Sequence, residues 1–114
     1  MRKTDKKIDK QLRQQLTQVC EQSLEEVHGF QWLTHLVNFE RFPDSLQVVC
    51  VFDTEFSKKQ YLASGSQFIN TLIASKLSAL GVNLRTCKQL VKFDSEEKCD
   101  LEHEGNWAKR LQVK

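Results

Sequence analysis

Proline occurs once in this 114-residue chain and glycine four times, too few for a collagen-like or low-complexity polypeptide. Long apolar runs are missing. The longest, Val48 to Phe52, falls far short of the roughly 20 residues that cross a bilayer, so no membrane association is expected. The basic start, Met1-Arg2-Lys3, leads into glutamines and further charges, so no secretory signal is expected either. Closely paired cysteines are missing, since Cys20, Cys50, Cys87 and Cys99 form no C-x-x-C pair. Without an export signal these read as reduced thiols of a cytoplasmic protein. An excess of one charge is also absent. Seventeen Lys and Arg against fifteen Asp and Glu leave +2, too little to name a partner.

Motifs of catalysis are missing as well. The chain has no G-x-S-x-G elbow, Walker loop, H-E-x-x-H helix or dinucleotide fingerprint, so neither an enzyme nor a cofactor is expected. His28 follows a helical stretch, where a cation near the helix C-terminus is favourable. His35 has no nucleophile or carboxylate at an informative spacing. Cys99, Asp100 and His103 would share one face of a short helix, and Cys87 would complete a zinc-type set. The paired thiolate spacing of structural zinc is lacking, however, and solvated polar residues are the expected reading.

What is present fits one domain, residues 1–114, long enough to bury roughly two-thirds of its unfolded surface. Ile8, Leu12, Leu16, Val19, Cys20, Leu24 and Val27 recur at steps of three and four, which predicts an amphipathic helix over 5–27. Thr4 or Asp5 would cap it and Gly29 would end it. An antiparallel hairpin is expected over about 34–53, turning at Pro43-Asp44-Ser45. Its second strand is the β-branched run Leu46–Phe52. Helical spacing returns over about 55–80, with a break near Ser64-Gly65-Ser66. Residues 82–94 fit both a strand and a helical stripe, and a strand over about 88–94 is favoured by Val91 and Phe93. An acidic segment and a tail follow at 95–114. The expected fold is α+β in the order α-β-β-α-β, a small antiparallel sheet covered on one face by two helices.

Charge distribution says more than the total. Arg2, Lys3, Lys6, Lys7, Lys10 and Arg13, against Asp5 and Asp9, leave +4 over the first thirteen residues. Residues 94–104 carry six acids against Lys98, a net −5. Phosphate-binding surfaces need several cations on one face, and Arg85, Lys88, Lys92, Lys58 and Lys59 are the candidates for such a nucleic-acid patch. Trp107, with Lys109 and Arg110, is the candidate anchor for a protein partner, although packing of the tail is the commoner role.

The run Ser75-Lys76-Leu77-Ser78-Ala79-Leu80-Gly81-Val82-Asn83-Leu84-Arg85-Thr86-Cys87-Lys88-Gln89-Leu90 resembles the helix-turn-helix of Fis-family DNA-binding regulators. The resemblance implies a turn at Gly81, with Arg85, Thr86, Lys88 and Gln89 facing DNA. Through Phe52-Asp53-Thr54, Val91-Lys92-Phe93-Asp94-Ser95-Glu96-Glu97 and Gly105-Asn106-Trp107, the whole chain resembles a family of small bacterial proteins commonly labelled Fis family transcriptional regulators. That family supplies no established activity. In element order alone the chain is similar to the KH-like domain of DciA-type helicase loaders. Three functions follow as expectations: a non-enzymatic module binding nucleic acid through the basic patch, a protein-interaction domain using the acidic and tryptophan-bearing tail, and a helix-turn-helix regulator.

Overall fold

The computed structural model describes residues 3–42, 44–81 and 91–111. The first helix, α1 (Lys3–Glu26), holds neither glycine nor proline and buries Leu12, Leu16 and Val19 along one stripe. Gly29 (φ +83°) then turns the chain into β1 (Phe30–Leu36), which pairs antiparallel with β2 (Gln47–Phe52). Between the two strands a short 3-10 turn, Phe39–Arg41, is capped by the Asn38 side chain. Pro43, the expected turn proline, lies outside the described residues. Helices α2 (Glu55–Ala63) and α3 (Phe68–Ser78) follow, then β3 (Val91–Ser95), α4 (Glu96–His103) and the single turn α5 (Trp107–Arg110).

The α+β class stands, but the sheet is mixed rather than antiparallel. Its order is β1-β2-β3, and β3 runs parallel to β2. The cause lies in the connection. A chain that leaves β2 through two helices returns to the end where β2 began, and a parallel pair requires a long crossover of this kind. The expected 55–80 helix is broken where the sequence placed the break. Thr54 caps α2 through its hydroxyl, which accepts from the Ser57 amide. Beyond the break, the Tyr61 hydroxyl and Ser66 Oγ accept from the Ile69 and Phe68 amides at the start of α3.

Cover on one face only is also corrected. Strand alternation puts Phe30, Leu33 and His35 with Val48, Cys50 and Phe52 and with Val91 and Phe93 on one face. There they meet Leu12, Leu16, Val19, Tyr61, Ile69, Ile73 and Leu77 in the core. The other face carries Trp32 and Thr34, Val49 and Val51, Lys92 and Asp94. Instead of trailing off as a tail, residues 96–110 fold into α4 and α5 and close part of this second face. Val49 and Val51 are consequently buried.

Candidate functional site

Trp32, Val51 and Asp94 form one row across the three strands, and α5 is fastened onto that row. Trp107 meets Trp32 edge to face, with ring centroids 4.8 Å apart. Both indoles donate to one carboxylate: Trp32 Nε1 to Glu96 Oε1 at 2.5 Å and Trp107 Nε1 to Glu96 Oε2 at 3.0 Å. Arg110 grips Asp94 in bidentate fashion, at 2.6 and 2.9 Å, and reaches Glu102 at 2.7 Å. Burial alone would raise the Asp94 pKa; the Arg110 hydrogen bonds and charge outweigh it and hold the carboxyl below its ordinary value. The same contacts push the guanidinium upward. Of the expected docking residues, Trp107 and Arg110 are therefore engaged within the fold, while Lys109 is exposed.

At the C-terminal ends of the parallel strands, α2 and α4 begin side by side and cap each other. Ser95 Oγ donates to Glu55 Oε2 at 2.6 Å, and the Glu55 amide donates to Glu97 Oε1 at 3.0 Å. Lys58 turns into this junction and pairs with Glu55 at 3.0 Å. Of the expected phosphate-binding residues, Lys58 is thus already neutralised, Lys59 and Lys92 are exposed, and Arg85 and Lys88 lie outside the described residues. The second helix of the Fis-like motif falls on that same stretch.

Cations converge instead on α1, away from Lys58, Lys59 and Lys92. Lys3, Lys6, Lys7, Lys10 and Arg13 are all exposed on α1. At 100° per residue they fall within an arc of about 120°, opposite the stripe that Leu12, Leu16 and Val19 bury. The arc rises over about 15 Å. Arg13 is shared with Asp9, which it meets at 3.1 Å, and Asp9 also meets His35 Nε2 at 3.0 Å. The far end of α1 carries Glu21, Glu25 and Glu26, likewise exposed. In the end turns this order opposes the helix macrodipole, at Lys3 and Lys6 and at Glu25 and Glu26, by about 0.3–1 kcal/mol each, with Asp5 in the first turn acting the other way. The charge excess of the first thirteen residues was readable in sequence. Its gathering onto one outward arc required the helix and its buried stripe.

The remaining reactive side chains have structural surroundings. Cys50 is fully buried on the core face, and burial pushes its thiol up to about 12; burial raises Cys20 and Cys99 as well. His103 Nδ1 lies 3.1 Å from Arg110 Nη1, and Cys87 is outside the described residues. A cavity of about 360 Å³ opens between the end of α1, α2 and the start of α3, lined in part by Glu26, His28, Gln60, Tyr61 and Phe68. No described helix is long and apolar enough to cross a membrane. No family model, curated protein or solved structure matches this chain.

Proposed function

We propose that the protein is a non-enzymatic binding module whose ligand is nucleic acid, held through its phosphates by the basic half of α1. The observation that carries this reading is the outward arc of Lys3, Lys6, Lys7, Lys10 and Arg13. Its cations project away from the core, and the first of them, Lys3 and Lys6, stand at the helix end where the dipole disfavours positive charge. A polyanion supplies the missing compensation, because each neutralised phosphate releases condensed counterions. Lys92 stands on the sheet face opposite the one packed on α1 and takes no part in this contact.

A charge-reversed chain, Lys7→Glu with Lys10→Glu, tests it in fluorescence anisotropy with a labelled 20-base-pair duplex. The variant keeps its fold, since both positions are exposed, and binding should weaken by roughly tenfold or more at 50 mM salt. Equal binding by the variant and the parent chain would remove α1 as the contact.

A second reading, docking of a protein partner, is favoured by Leu101. This leucine is 79% exposed on α4 and stands between Asp100 and Glu102. Under it, Leu101→Ala should abolish capture of a partner without altering the melting temperature.

A further inference from the structure

Resting on the nucleic-acid reading, we infer that the ligand is double-stranded, is held through its backbone without reading of bases, and crosses α1 rather than running along it. The composition of the arc carries the first part. Single strands are held by aromatic side chains on which bases stack, each worth about 1–3 kcal/mol, and α1 contains no aromatic residue at all. A duplex needs no such platform. It presents about one charge per 1.7 Å of axis, so wherever it lies across the arc it brings phosphates of its backbone against the lysines.

Base reading rests on bidentate side chains, Arg to guanine or Asn and Gln to adenine, carried into the major groove. Here α1 is seated against β1 and α3 through Leu12, Leu16 and Val19, and its basic half is tied down by partly buried Ile8 and by the Asp9–His35 bond. Only its outer arc is offered, and that arc holds flexible ammonium groups together with an Arg13 already shared with Asp9. Lysine contacts of this kind fix position and carry no sequence information.

The orientation follows from the acids. Helix α1 is about 36 Å long, and Glu21 and Glu25 continue the line of Lys3, Lys7 and Lys10 on its outer side. A duplex lying along the helix would bring phosphates onto those carboxylates. Glu21 rises about 12 Å beyond Arg13, more than the Debye length of about 8 Å at physiological salt. A duplex crossing at the basic half therefore escapes the repulsion, and the acidic half limits the footprint.

The full chain should be titrated by anisotropy with two unrelated 20-base-pair DNA duplexes, an RNA duplex of the same length and a dT20 single strand. The expected result is that the two DNA duplexes agree within about twofold, whereas dT20 binds roughly tenfold more weakly. In the Glu21→Gln/Glu25→Gln chain, duplex affinity should rise less than about threefold, as expected for charges beyond the Debye length. Comparable or tighter binding of dT20 would overturn the double-stranded assignment and leave the phosphate reading standing. A tenfold preference between the DNA duplexes would overturn the absence of base reading. A gain of tenfold or more on removing the acids would overturn the crossing geometry. Affinity confined to the RNA duplex would keep the assignment and name its source as A-form helix. Absence of binding to all four probes would remove the nucleic-acid reading itself.

Discussion

Gly29 joins the end of α1 to β1 and lies against Ser57 of α2. Its φ of +83° is open to glycine and costly to other residues. A Cβ there would fall on the Ser57 side chain, 2.6 Å from Oγ, and 2.9 Å from Asp53 Oδ1. Gly29→Ala should therefore cost about 2–4 kcal/mol in a urea melt, the sum of left-handed strain and overpacking. Ser23 makes the opposite case. Its Oγ is buried in α1 and, among the described residues, is the one buried side-chain polar atom without a hydrogen-bond partner. Ser23→Ala removes that unmet hydroxyl and improves helix propensity, so the unfolding free energy in a urea melt should rise by about 1 kcal/mol. The glycine was legible in the sequence as a helix stop. Its tight approach to Ser57, far along the chain, was not, because a close contact between distant residues leaves no local signal.

Among the elements, α4 and α5 act as a fastener whose strength depends on charge. Asp94 and Arg110 retain 16% and 11% side-chain exposure, and removing one partner strands the other in a partly dry setting. Asp94→Asn should cost about 2–3 kcal/mol, a little below the range for fully buried pairs. The pH dependence has a fixed sign. Because the folded pKa of Asp94 is depressed, its stabilisation is complete above the unfolded value of about 3.9. It is lost as pH falls from there through the folded value. The Trp32–Trp107 pair reports the event, so its near-UV circular dichroism should fade below about pH 4, whereas in Asp94→Asn the signal should be weaker already at neutral pH. In sequence, residues 95–114 read as an acidic segment followed by a tail, with no sign of the fastener. Six acids on a short stretch resemble a solvated run, and only the fold shows that Asp94, Glu96 and Glu102 have Arg110 and two indoles as partners.

For the whole molecule, the elements readable in sequence were those with strong periodicity: α1, β2 and the interrupted helical region after it. The parallel pairing of β3 escaped because strand pattern does not encode direction. The evidence for direction lay in the helices between β2 and β3, a connection that favours a parallel partner. The candidate site was half legible. Net charge over the first thirteen residues marked α1 as basic, but Lys58 and Arg110 looked equally available until the fold paired them with Glu55 and with Asp94 and Glu102. What distinguishes a contact surface from a structural ion pair is which carboxylates the fold brings near, and that depends on residues distant in sequence. The molecule that results has its Trp107–Arg110 end turned inward and its basic helix end turned outward.

The claim that this outward end binds phosphate is tested most directly by the salt dependence of duplex affinity, measured from 50 to 200 mM. Four to five phosphate contacts predict a slope of log K against log salt of about −4, hence a loss of roughly two orders of magnitude over that range, and a shallower slope for Lys7→Glu/Lys10→Glu. A slope near zero, or the same slope in both proteins, would contradict it.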